Sequence, residues 1–166
     1  AHKAITSLEK YFEVQIITQN IDDLHERAGS TNVLHLHGEI TKARSTATEK
    51  IYTIGNNPIY LNDLCENGHQ LRPHIVWFGE AVPNMEIAND MVKTADFFIV
   101  AGTSLNVYPA AGLVHVASKS SIKFLVDPSE QLKTPSIENL TVYRENATVG
   151  IPKIASKLKK TISKYQ

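Results

Sequence analysis

Short, almost wholly apolar runs recur along this chain, and helical patterns separate them. Val14-Gln15-Ile16-Ile17, Asn32-Val33-Leu34-His35-Leu36, His74-Ile75-Val76-Trp77-Phe78, Phe97-Phe98-Ile99-Val100-Ala101 and Ile122-Lys123-Phe124-Leu125-Val126 read as strands, with a further short one at Leu140–Tyr143. Helices are expected over 2–11, 22–28, 85–94, 109–117 and 147–164. A strand apolar at nearly every position is buried on both faces, so the alternation implies an α/β fold with a parallel sheet covered on both sides. Asp22 or Asp23 stands where a helix cap belongs, Gly29-Ser30 where a helix stops, and Pro109 at a first helical turn, where its missing N–H costs little. Between Thr41 and Gln70 every period breaks at Gly55-Asn56-Asn57-Pro58 and Glu66-Asn67-Gly68, which reads as an inserted module.

Charge and cysteine usage exclude several classes of partner. Lys+Arg and Asp+Glu both number 17, so no basic excess favours a nucleic-acid backbone or an anionic membrane surface. The lysines at 157, 159, 160 and 164 read as a solvated face near a helix end. One cysteine, Cys65, permits no internal disulfide, which fits a reducing, cytoplasmic compartment. No stretch approaches the ~20 apolar residues of a spanning helix, and no signal-peptide pattern is present. The chain opens without Met, directly in a helical pattern, which points to an upstream part that has been removed.

The chemistry concentrates at strand ends. Val14–Ile17 runs into Thr18-Gln19-Asn20-Ile21-Asp22, and His37-Gly38-Glu39 follows shortly after. An amide pair, a carboxylate and an imidazole suit a ligand with hydroxyls and an amide, plus one proton to move. Gly102-Thr103-Ser104 after a buried strand reads either as a turn that offers N–H groups and hydroxyls to an anion or as a plain strand-to-loop turn. A G-x-G-x-x-G fingerprint and a P-loop are absent, and Gly102–Asn106 misses the G-x-S-x-G elbow at its last position. His35, His37 and Glu39 have the residue types of a zinc site, but an imidazole beside Gly38 suits a general base better. His25, His69, His74 and His115 have no ligand spacing to them. Val76–Glu80, an apolar segment ending at a glycine, reads as core or as an edge that accepts an extended peptide.

Together these segments resemble the sirtuin family of NAD-dependent protein-lysine deacylases. The resemblance rests on Thr18-Gln19-Asn20-Ile21-Asp22-Asp23-Leu24-His25-Glu26-Arg27-Ala28-Gly29, His35-Leu36-His37-Gly38-Glu39, Leu71-Arg72-Pro73-His74-Ile75-Val76-Trp77-Phe78-Gly79-Glu80 and Ala101-Gly102-Thr103-Ser104-Leu105-Asn106-Val107-Tyr108-Pro109-Ala110, in the family's order. The wording around His35–Glu39 and Phe78–Glu80 is most similar to the bacterial, class III-like branch. The resemblance implies a Rossmann-like domain over 1–40 and 71–166, with NAD across the carboxyl ends of the strands and the 41–70 module inserted. It implies transfer of an acyl group from lysine to ADP-ribose with release of nicotinamide. By it, His37 is the general base on a ribose hydroxyl, Asn20 positions the nicotinamide ribose or a water, Asp22 accepts from the nicotinamide carboxamide, and Gln19 binds a ribose hydroxyl. Gly102, Thr103 and Ser104 would hold the phosphates and the adenosine ribose. Val126 and Asp127 (where Asn is more usual) would contact the adenine-side ribose, and Ala147 the adenine. Val76, Trp77, Phe78, Gly79 and Glu80 would pair with an acyl-lysine peptide and line its tunnel.

Two departures from the family pattern carry expectations of their own. The family's structural zinc needs four cysteines, so this module is expected to be metal-free and held by packing of Ile51, Tyr52, Ile54, Ile59, Tyr60 and Leu61. The family's N-terminal βα unit, with its glycine-rich turn and the loop over NAD, has no counterpart here. Its absence would leave an apolar sheet edge that an oligomer could cover, and would favour an NAD- or ADP-ribose-binding domain without turnover as the alternative function. A metal-dependent hydrolase using His35, His37 and Glu39 is a second alternative.

Overall fold

The computed structural model describes residues 1–103, 105, 107–131 and 136–162. Helix α1 (His2–Thr6) stops well before residue 11, and turns carry the chain onward. The Thr6 and Ser7 hydroxyls donate back to the carbonyls of His2 and Ala4, which competes with continuation of the helix. Strand β1 (Ile16–Thr18), helix α2 (Leu24–Arg27) and strand β2 (Val33–His35) form one βαβ unit, with Ile16 opposite Val33 and Thr18 opposite His35 in parallel.

Strands β3 (Gly38–Ser45), β4 (Ile51–Thr53) and β5 (Leu71–Ile75) make an antiparallel sheet in the order β4-β3-β5. Helix α3 (Met85–Lys93) then leads to β6 (Phe97–Ala101). A 3-10 turn (Ala110–Gly112) runs into the short helix α4 (Leu113–Val116). Strands β7 (Ile122–Val126) and β8 (Leu140–Tyr143) pair in parallel beside β6, and α5 (Ala147–Ile162) closes the described chain.

The α/β class and the helical cover on both faces agree with the sequence. Phe97 and Ile99 of β6 pack into a cluster with Phe124, Val126, Ile151 and Ile154, while Phe98 faces a second cluster around Leu36, Ala88, Val92 and Leu113. Successive strand residues point to opposite faces, so this alternation is what two-sided burial requires. Among the described residues the parallel sheet is nevertheless two ladders, β1–β2 and β6–β7–β8, with no strand pairing between them. Val14 joins the first cluster, and Ile17 and Leu34 the second, so both ladders share both helical layers.

Two further expected elements are corrected. The strand expected at 74–78 lies at Leu71–Ile75, because Gly79 at φ 90° and the tethering of Glu80 turn the chain away after Ile75. The helix expected at 109–117 is a 3-10 turn plus four helical residues, with the flexible Gly112 at the join.

The inserted sheet spans 38–75 and is held differently from the packing expected. Ile51, Tyr60 and Leu61 are exposed. Besides Ile75 at its end, the buried residues are small, Ala43, Ser45 and Cys65, with the Cys65 thiol 3.5 Å from the Ser45 hydroxyl. The Gln70 amide donates to the carbonyls of Tyr60, Asp63 and Leu71 and accepts from the Asn62 N–H. Glu66 accepts from both Lys50 and Tyr52, which hold its carboxyl down at about 2. So short and polar a stretch has little to bury, and hydrogen bonds take over.

Candidate active site

The backbone of the β1–α2 turn is sewn to the segment after β2. The carbonyls of four consecutive residues each accept a hydrogen bond. Leu36 N–H donates to Thr18 (2.9 Å), His37 Nδ1 to Gln19 (2.9 Å), His35 Nδ1 to Asn20 (3.3 Å) and Ile40 N–H to Ile21 (2.8 Å). Thr18 is buried, and its hydroxyl accepts from the Asn20 N–H. Asp22 accepts from the Leu24 N–H at the start of α2. The main chain of Thr18–Ile21, which carries Gln19 and Asn20, is thereby fixed against residues 35–40.

A carbonyl oxygen only accepts, so the Nδ1 of His37 carries its proton and the other nitrogen, Nε2, is left as the basic one. His35 differs. Its Nδ1 lies 3.3 Å from the Asn20 carbonyl and its Nε2 2.8 Å from Glu26 Oε1, so both ring nitrogens are engaged. Burial pushes the Glu26 carboxyl up, but the His35 hydrogen bond, a backbone hydrogen bond and the nearby His35 and His25 rings together outweigh it and hold the group below its ordinary value. Asn84 donates to the His35 carbonyl at 2.8 Å and anchors the strand end.

Gly38 explains its own position. Its φ is +79°, and a Cβ there would lie 2.0 Å from the His74 carbonyl oxygen, so only glycine lets β3 pass this close to β5. The Val76 N–H then donates to the His37 carbonyl at 2.9 Å. This bond sets the 77–80 turn beside the imidazole. The turn closes through Glu80 N–H to the Trp77 carbonyl, with Gly79 supplying the positive φ a type II turn needs at its third position. Phe78 at its tip is 99% exposed and Trp77 53%. The Glu80 carboxylate faces inward instead. It accepts from Arg72 through two nitrogens (2.6 and 3.2 Å), from Arg44 (3.1 Å) and from the Trp77 N–H (3.0 Å). The Arg72 guanidinium and then the Trp77 N–H hold its carboxyl at about 2.

The second group of sites follows the other ladder. Gly102 ends β6 at φ +64° with open space where a side chain would stand, and its N–H donates to the Val126 carbonyl. The Thr103 hydroxyl accepts from the Leu105 N–H. Asp127, buried after β7, accepts from the Ser129 N–H, and its own N–H donates to the Tyr143 carbonyl. Ala147 opens α5. The Val126 side chain is wholly buried against Gly150, so it belongs to the core and presents no side chain to a ligand. Ser104 lies outside the described residues. Gly102, Thr103 and Asp127 lie at carboxyl ends of neighbouring parallel strands, where α/β sheets bind ligands, and the open, side-chain-free turn at Gly102 fits a phosphate-bearing group.

Two groups of the suggested metal site are otherwise engaged: His35 through both ring nitrogens, and Glu39 with Lys42 at 2.7 Å. Among the described residues no cluster of three or more His, Cys, Asp or Glu could hold a metal ion.

The sequence model of the Sir2 family matches residues 1–109. The chain belongs to the Sir2 family. It is 56% identical over 129 residues to an NAD-dependent protein deacylase of Aggregatibacter actinomycetemcomitans, covering 78% of this chain and 62% of that relative. It is 43% identical to one of Bacteroides thetaiotaomicron, covering 92% of this chain and 68% of that one. Among solved structures, a Sir2 homologue–NAD complex matches with a TM-score of 0.83 at 35% identity, over 96% of this chain and 64% of its own. A Sir2–p53 peptide–NAD+ complex matches with a TM-score of 0.73 at 30% identity, over 98% of this chain and 69% of its own. This Sir2-family chain thus spans about 62% of the length of the Aggregatibacter relative it matches. Sequence reasoning missed Glu26, Asn84, Arg44 and Arg72, which act on the site through other residues. Glu26 and Arg72 stand within the segments quoted above without a role of their own, and the roles of all four are visible only once the partner is known.

Proposed function

We propose that the protein is an NAD-dependent protein-lysine deacylase. The observation that carries this reading is the run of four consecutive carbonyls, Thr18 to Ile21, pinned by residues 35–40. It holds the His37 ring through Nδ1 and leaves Nε2 as the nitrogen available to a substrate, on the same short segment pairing that carries Gln19, Asn20 and Asp22. The names of the Aggregatibacter and Bacteroides relatives support the same activity for this chain.

NAD, when bound, would supply a ribose carbon at which the acyl oxygen forms a bond as the bond to nicotinamide breaks and free nicotinamide leaves. His37 takes a proton from a ribose hydroxyl at Nε2, while Nδ1 stays on the Gln19 carbonyl. Asn20 positions the nicotinamide ribose or a water, Asp22 the carboxamide, and Gln19 a ribose hydroxyl. Gly102, Thr103, Ser104, Asp127 and Ala147 hold the phosphates and adenosine, together with the main chain at Val126. The turn at Val76–Glu80 receives the acyl-lysine peptide. On this reading residues 1–40 and 71–166 hold the cofactor, and the 41–70 module is built without metal. β6 is only half-buried, which supports a covering strand or a second copy over that edge. The lone cysteine supports a cytoplasmic setting, and among the described residues no helix is long and apolar enough to cross a membrane.

The test is nicotinamide release by the full-length protein from NAD, with acetyl- and succinyl-lysine peptides. Release that depends on the acyl-lysine supports the proposal. ADP-ribose binding without release identifies a binding domain and contradicts it.

A further inference from the structure

We propose that Arg44 and Arg72 are positioning residues for the substrate peptide: facing each other across β3 and β5, they lock Glu80 and so hold the Trp77–Glu80 turn in its receiving shape. The proposal rests on the deacylase reading above. Arg44 and Arg72 are direct partners in the antiparallel register. Like charges opposite one another in a sheet repel, so the pair requires an anion between them. Glu80 is that anion, and it comes from the turn rather than from the sheet.

The count of bonds decides the role of Glu80. An ionised carboxylate has about four lone-pair sites. Oε2 accepts from Arg72, Arg44 and the Trp77 N–H, and Oε1 from the second Arg72 nitrogen. The carboxylate is thus committed to the sheet and to its own turn. Its effect on substrate passes through the turn. Arg72 also donates to the Ile75 carbonyl, and its guanidinium lies 5.9 Å from the Trp77 ring centroid. One guanidinium thus grips the chain before, within and after the bend. The same turn is bonded to the His37 carbonyl through Val76, so the clamp fixes the distance from peptide to base.

Trp77 is the one tryptophan of these 166 residues, and a change in emission quenching between wild type and a variant of its clamp reports on this turn. The experiment compares full-length wild type with Arg44→Met, Arg44→Lys and Glu80→Gln, by acrylamide quenching and by steady-state nicotinamide release on an acetyl-lysine peptide. Losing a charged hydrogen bond at this clamp should raise peptide KM about tenfold in Arg44→Met and Glu80→Gln, with kcat and NAD KM within about twofold. Quenching of Trp77 should rise in the same two variants, and Arg44→Lys, which keeps a donor and the charge, should restore most of both. Unchanged peptide KM and quenching, or an equal loss in kcat and NAD KM, would overturn the proposal. Wild type without nicotinamide release refutes the deacylase reading, while unchanged quenching in the variants separately refutes the clamp.

Discussion

At the scale of single residues, the site is built by oxygen atoms that choose protons. The Gln19 carbonyl assigns the His37 tautomer, and the Asn20 carbonyl and Glu26 occupy both nitrogens of His35. Gly38→Ala should therefore cost more than a surface change. Its Cβ would strike the His74 carbonyl at a positive φ, so about 2 kcal/mol or more of stability should be lost, read from denaturant midpoints. Nicotinamide release should fall with it, because His37 is the preceding residue. The importance of His37-Gly38 was legible in the sequence, since a polar cluster after an apolar run marks a sheet's carboxyl edge. The Arg44–Glu80 contact was not, because the residues are 36 apart and meet only through β-pairing.

At the scale of elements, the strands at 97–101, 122–126 and 140–143 were legible because two-sided burial writes an apolar run. The strand at 71–75 was not, because its apolar signal continues into a turn that long-range charges bend. Within β7, Lys123 is an exception to the apolar rule. It is 1% exposed and donates from Nζ to the carbonyls of Ser118, Ser121 and Glu138. Lys123→Met keeps the stem and orphans three acceptors, so stability should drop by about 3 kcal/mol in chemical denaturation. A loss near zero would mean that water reaches those carbonyls. Gly150→Ala should cost about 1–3 kcal/mol, because its Cβ would lie 2.5 Å from Val126 Cγ1 where α5 packs on β7.

At the scale of the whole molecule, two parallel ladders share two helical layers, while a hydrogen-bonded antiparallel sheet carries the Trp77–Glu80 turn. The carboxylates that hold that sheet together set its acid limit. Glu66 and Glu80 lie at about 2 in the folded protein against an ordinary 4.5. A depressed carboxyl stabilises the fold above its unfolded value, and that contribution disappears as the pH falls through the folded one. The gap in denaturant midpoint between wild type and Glu80→Gln should be constant from pH 7 to about 5 and close as the pH approaches 2. The central claim is that a base fixed by a backbone carbonyl drives acyl-dependent release of nicotinamide. The measurement that tests it most directly is His37→Ala in the full-length protein, assayed in parallel for nicotinamide release and NAD binding. The account predicts that turnover falls by about 10²–10⁴-fold while NAD affinity stays within a few-fold. Turnover near that of wild type would contradict it.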